Sequence, residues 1–255
     1  MGMNGAPVVR DGPITRERAR PQRWWSPGRI AGAMVLGAWA ALFWFLLLSG
    51  RENLYLSTRT SWVVPVGAVL LTGATLGRLA TARVRSAEPL RTREAWIMGL
   101  MVVPVVLIMA LPPVTLGSFS AGKRTAYSGA GFAASVGDIG SGELTLVDVA
   151  AGQTSKEGEQ ALAKRAAEDV DFVGFVTRYP DTPADEFMLT RYVVTCCVAD
   201  ATVAQVRVVN VPPGEFDVNQ WVEVKGQIYP LGREVIVNAS DITNVSRPDR
   251  PYLTP

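Results

Sequence analysis

Ile30–Gly50 reads IAGAMVLGAWAALFWFLLLSG, twenty-one residues without a charge. At ~1.5 Å of rise per residue this run makes about 30 Å of helix, the thickness of a bilayer's hydrocarbon core. Trp62–Gly77 (WVVPVGAVLLTGATLG) is a second such run. Arg78 can snorkel at its end, which extends the span to Ala80. Ala95–Leu111 (AWIMGLMVVPVVLIMAL) is a third, closed by Pro112-Pro113. Pro65 and Pro104 would damage soluble helices, but intramembrane helices tolerate proline. Three uncharged runs between residues 30 and 111 leave too little polar surface for a soluble helical domain. The first is too long for a cleaved signal peptide, no A-x-A site follows it, and two more spans come after.

Outside the spans, charge divides the chain. Residues 1–137 hold fifteen basic and five acidic residues, a net of +10; residues 138–255 hold ten basic and eighteen acidic, a net of −8. The basic half suits anionic lipid headgroups. The acidic half argues against nucleic acid as a partner, because phosphate recognition needs the opposite sign. Six Arg precede the first span (Arg10, Arg16, Arg18, Arg20, Arg23, Arg29) and five lie between the second and third (Arg78, Arg83, Arg85, Arg91, Arg93). Arg51 and Arg59 of the first loop are offset by Glu52, and only Lys123 and Arg124 closely follow the third span. The positive-inside rule therefore predicts a cytoplasmic N-terminus and, after three crossings of the membrane, an extracytoplasmic C-terminal domain.

The expected organisation is a disordered cytoplasmic tail over 1–29, a three-span region over 30–111, a Gly/Ser/Ala-rich linker over 112–144 (flexible at least from Tyr127) and a β domain over 145–255. Trp24, Trp25, Trp62 and Trp96 lie at or near span ends, where indole rings anchor at the interface. Gly67, Gly73 and Gly77 with Ala74 offer a small-residue face for helix packing. The spans carry no internal charge, so they read as an anchor or accessory subunit rather than a channel.

Gly142–Ala150 (GELTLVDVA) reads as a short strand or lead-in, and Lys156–Ala167 as an exposed, charged helix. Five strand-like runs follow: Val170–Tyr179, Phe187–Val198, Thr202–Val211, Gln220–Tyr229 and Glu234–Val245. Their β-branched residues, period-two alternation and Pro/Gly turns predict a small OB-like five-stranded barrel. A small sandwich fits the same pattern.

The chain has no histidine and two cysteines, Cys196 and Cys197. Without His the usual Ser-His and Cys-His catalytic arrangements are missing, and neighbouring cysteines give neither a CxxC motif nor a dispersed disulfide framework. The expectation is that the protein is not an enzyme. On an uninterrupted second strand, Cys196 shares a face with Thr190, Tyr192 and Val194, and Cys197 shares the other with Leu189, Arg191 and Val193. Arg191 marks that second face as partly solvated, so Cys196 is expected in the core and Cys197 nearer solvent. Three readings stay open: space filling, binding of a soft metal ion with Asp200 or backbone groups completing the site, and thiol redox chemistry, including a vicinal disulfide.

Thr190-Arg191-Tyr192-Val193-Val194-Thr195-Cys196-Cys197-Val198-Ala199-Asp200-Ala201 resembles the Thr-Cys-Cys-x-x-Asp stretch of a bacterial permease-subunit family encoded beside a predicted multi-span permease. Gly174-Phe175-Val176, Trp221-Val222-Glu223-Val224-Lys225-Gly226 and Leu116-Gly117-Ser118 with Ala121 and Arg124 fit the same pattern, which covers roughly residues 115–250. The resemblance implies an accessory membrane protein that works with the permease, in metal-ion export or allocation, with Cys196, Cys197 and Asp200 as metal ligands. The lack of His leaves that ligand set short. The reading from another class is a membrane-anchored envelope interaction or scaffold module with no transport role.

Overall fold

The computed structural model describes residues 24–84, 89–112, 115–127, 139 and 142–255. The expected tail up to Arg23, Arg85 of the second loop, and most of the expected linker (113–114, 128–138 and 140–141) lie outside these residues.

The three apolar runs form α1 (Pro27–Ser49), α2 (Val63–Ala80) and α3 (Thr92–Ala110), each long and apolar enough to cross a membrane. Pro27 opens α1, where its missing N–H would have no partner in any case. Gly50 closes α1 in the left-handed region at φ 66°, its N–H bonded back to the last turn. Pro65 sits in the first turn of α2, where it breaks no helical hydrogen bond, and Pro104 is interior to α3. The indole of Trp44 donates to Thr72 Oγ1 (3.1 Å) and that of Trp39 to the Met101 carbonyl (3.1 Å), which ties α1 to both neighbours. Trp24, Trp25, Trp62 and Trp96 are each more than half exposed. Gly67 packs beneath the Phe43 ring, but Gly73 and Gly77 face open space, so only part of the expected small-residue face is used.

Three boundaries differ from the sequence reading. Trp24–Trp25 (β1) pairs antiparallel with Arg83–Val84 (β2), so regular structure begins before residue 30. Leu116–Tyr127, inside the expected linker, lies against the barrel, with a short helix α4 (Ser118–Ala121) and a parallel bridge from Ala126 to Val203. Leu146–Gly152 is helical (α5), not a strand, because Thr145 and Asp148 cap it reciprocally. α6 (Lys156–Ala163) is capped by Ser155 Oγ and buries Ala161 and Leu162, so one side of the expected exposed helix packs inward.

Five long strands follow: β3 (Asp169–Thr177), β4 (Phe187–Val193), β5 (Thr202–Val209), β6 (Trp221–Leu231) and β7 (Glu234–Asn244). They close in the order β3-β4-β5-β7-β6-β3, antiparallel except for the parallel β5–β7 pair, which is an OB-like barrel. β3 pairs with β6 over 169–175 and with β4 over 175–177. Gly174 sits where it changes partners; a Cβ there would lie 2.9 Å from the Thr190 carbonyl oxygen. A bulge at Lys225/Gly226 bends β6, and a Cβ at Gly226 would strike the backbone of Asn238. A sixth strand, β8 (Tyr252–Leu253), runs parallel to β4 at 192–193, beyond the β3 pairing.

Alternate residues of all five strands fill the interior, among them Phe172, Leu189, Val206, Val224 and Val237, and Leu146, Val149 and Leu162 of α5 and α6 join that core. A second core lies on the outer face: Phe175, Tyr192, Val194, Ala201, Val203 and Ala121, with Leu116, Trp221 and Tyr252 packed on it. Tyr192 donates its hydroxyl to the Gly117 carbonyl (2.7 Å), and the Leu116 N–H donates to the Tyr252 hydroxyl (3.3 Å). The outer face of the barrel at β3 and β4 is thereby covered by the chain's own 115–121 segment and β8.

Candidate metal centre on the cysteine turn

β4 ends at Val193, three residues before the cysteines. The cause is Asp200. Its Oδ1 accepts the Thr195 N–H (3.0 Å), and its Oδ2 accepts those of Cys196 (2.7 Å) and Cys197 (3.3 Å). Three successive donors are thus turned toward one carboxylate instead of a neighbouring strand. The Asp200 N–H returns to the Cys197 carbonyl (2.9 Å) and closes a short 3₁₀ turn over Val198–Asp200. Arg124 holds the far side, donating to the carbonyls of Ala201 (2.9 Å) and Ala199 (3.3 Å).

This turn reverses the expected burial of the pair: Cys196 is exposed and Cys197 only partly buried. Strand alternation does not apply to residues that have left the strand. Arg191, expected to mark a solvated face, is half-buried. Its guanidinium donates to the carbonyls of Arg250 (2.8 Å) and Pro251 (3.2 Å) and lies over the Trp221 ring. Desolvation pulls its pKa down from the ordinary arginine value.

The three candidate ligands do converge: Cys196 Sγ, Cys197 Sγ and a carboxylate oxygen of Asp200 lie within 4.8 Å of one another. The two sulfurs are 3.7 Å apart, and both thiols are free. The thiol of Cys196 faces the Asp200 carboxylate and, next, the Cys197 sulfur, and this raises its pKa to about 11. For Asp200, desolvation pushes upward, but hydrogen bonds from the Cys196 thiol and the three backbone N–H groups outweigh it and hold the pKa below the ordinary carboxylate value.

The element that grips this turn, the loop between α1 and α2, is not among the sequence expectations. Leu56 and Cys197 form an antiparallel bridge. The Val198 N–H donates to the Tyr55 carbonyl (2.8 Å), while the Cys196 carbonyl accepts the Ser57 N–H (3.1 Å) and the Thr60 hydroxyl (2.6 Å). Thr58 Oγ1 meets Thr254 Oγ1 (3.0 Å), and Arg59 donates to the backbone oxygen of Pro255 (2.5 Å). The one visible hint is a run of five hydroxyl or basic residues, Ser57–Ser61, immediately before an apolar span.

Residues 151–255 match the model of the DUF1980 C-terminal domain, a stretch that contains the barrel, the cysteine turn and Asp200. No curated protein matches the chain.

Proposed function

We propose that this protein is an accessory membrane subunit of a permease whose extracytoplasmic turn at Cys196, Cys197 and Asp200 takes up a thiophilic divalent cation for transfer to its partner. The role is binding, not catalysis. The observation that carries this reading is the convergence of two thiols and a carboxylate on a turn bonded to a membrane hairpin. The 3.7 Å sulfur separation supports a tetrahedral ion. Two zinc–thiolate bonds of ~2.3 Å at the tetrahedral angle span about 3.8 Å, whereas a linear arrangement of the same bonds would need about 4.6 Å. Three protein donors leave one tetrahedral position open, which suits an ion that must be handed on.

A second reading has its own observation. All three backbone N–H groups of the turn already use Asp200, and the Cys196 thiol favours its protonated form. An envelope interaction module with a structural turn would look like this.

Calorimetric titration of the reduced full-length protein with Zn(II) and Cd(II) separates the two. One ion per chain, lost in both Cys196→Ser and Cys197→Ser and accompanied by cadmium–thiolate absorbance, is the expected result. No heat from either ion, with the variants as well folded as the parent, leaves the interaction module.

A further inference from the structure

A cleft of about 430 Å³ opens where the C-terminal end of α1 meets the segment after β7. Ser49, Gly50, Arg51, Asn53 and Leu54 form one wall, and Arg247, Pro248 and Asp249 the other. Its level is set by α1. Ser49 and Gly50 end a helix with mean hydropathy 2.1, so the cleft lies at the depth of lipid headgroups when α1 crosses a bilayer. Leu48, the residue before Ser49, is 82% exposed, as a lipid-facing side chain should be. The Arg51 guanidinium stacks 5.0 Å over the Phe45 ring, which keeps this cation against the helix rather than out in solvent.

Charge then selects the occupant. Neither Arg51 nor Arg247 makes an ion pair among the described residues. Arg247 belongs to the half of the chain whose net charge is −8, so its position beside a second arginine is not the product of a generally basic surface. Two arginines lining one cleft suit a phosphate, whose oxygens accept paired guanidinium N–H bonds. Asn53 adds an amide donor to the same wall. Asp249 is an acceptor only and would repel a bare anion. It suits a ligand that carries a hydroxyl or ammonium donor just beyond its phosphate.

We propose that this cleft binds the headgroup of a membrane glycerophospholipid, with the phosphodiester on Arg51 and Arg247 and a glycerol hydroxyl or ethanolamine ammonium on Asp249. Phosphatidylglycerol and phosphatidylethanolamine fit this description. Phosphatidylcholine does not, because its quaternary ammonium has no N–H to donate. The site is separate from the cysteine turn and does not rest on metal binding.

The test is native mass spectrometry of the full-length protein released from nanodiscs of phosphatidylcholine doped with phosphatidylglycerol or phosphatidylethanolamine. The parent should retain one of the doped lipids in preference to phosphatidylcholine. Arg51→Gln with Arg247→Gln should lower that retention about thirtyfold, about fivefold for each arginine at a membrane surface. Asp249→Ala alone, which removes the acceptor, should keep lipid bound but lose the discrimination against phosphatidylcholine, and it leaves a readout if the double variant fails to fold. Arg78→Gln, at the opposite end of the helical hairpin, should change nothing. Equal retention of all three lipids by the parent, or retention unaffected by the double substitution, overturns the proposal. Displacement of the lipid by millimolar inorganic phosphate also overturns it, because the site would then be one for a free anion.

Discussion

The hydroxyl of Thr60 donates to the carbonyl oxygen of Cys196 at 2.6 Å, joining residues 136 positions apart. The same carbonyl accepts the Ser57 N–H, so the loop between α1 and α2 holds the cysteine turn by two bonds to one atom. Thr60→Val keeps the shape and removes one donor. The carbonyl retains its other partner, so the loss should be about 0.5–1.5 kcal/mol. Hydrogen exchange of the amides over 195–200 should quicken while that of β5 and β7 stays unchanged. Uniform quickening through the barrel would mean that the loop is integral to the domain rather than a grip on the turn.

Asp200 governs the turn itself. Asp200→Asn keeps one acceptor oxygen but loses the charge that three N–H groups share, and should destabilise the domain by about 1–3 kcal/mol. The pH dependence has a definite sign. The folded pKa lies below the unfolded one, so this contribution is present above the unfolded value near ~3.9 and fades as pH falls through the folded value. Thermal melts should lose stability on acidification more steeply in the parent than in Asp200→Asn. Equal acid slopes would remove Asp200 from the account.

Cys196 titrates in the opposite sense. Its folded pKa is raised to about 11, so the protonated thiol is favoured in the folded state. Any stability from this is complete below the unfolded value near ~8.5 and is lost as pH rises through 11. Alkylation of the exposed Cys196 should be slow at neutral pH and reach half its limiting rate near pH 11. Asp200→Asn should move that midpoint down. A midpoint near the free-cysteine value in the parent would rule out the thiol–carboxylate contact.

The segment after α3 works as part of the barrel wall. Tyr192 is 1% exposed and bonds the Gly117 carbonyl beneath Leu116 and Ala121. A soluble fragment starting at residue 115 should melt at a higher temperature than one starting at 145. Tyr192→Phe in the longer fragment should cost about 0.5–1.5 kcal/mol, because the Gly117 carbonyl loses the hydroxyl donor but keeps the Ser120 N–H. If the two fragments melt together, the outer core adds no stability.

Much of this architecture was legible in the residues. Uncharged runs of membrane length gave the three helices to within a few positions. Period-two alternation gave the five barrel strands, whose starts differ from expectation by one residue at most. The error at the cysteines has a physical source. Val193, Val194, Thr195 and Val198 have the β-branched character of a strand, and nothing in a local pattern announces that Asp200 will reach back to three N–H groups. β8 is two residues long, too short for any periodicity to register. The grip of the α1–α2 loop joins segments far apart in sequence through main-chain atoms, which leave almost no mark on side-chain composition. The proximity of Cys196, Cys197 and Asp200 was readable because they lie within five consecutive residues.

Ser57 and Thr254 meet across 197 residues, and that separation bears on the order in which the molecule assembles. The entropy of closing so long a loop rises only as the logarithm of its length, by about 0.6 kcal/mol per doubling, so distance alone does not forbid the contact. It does delay it. Barrel strands find partners a few tens of residues away, whereas the α1–α2 loop must wait for a domain made much later. A few hydrogen bonds then fasten the two, against a whole buried core within the barrel. Folding should therefore resolve into a cooperative collapse of the barrel and a slower, weaker fastening onto the hairpin, each with its own rate.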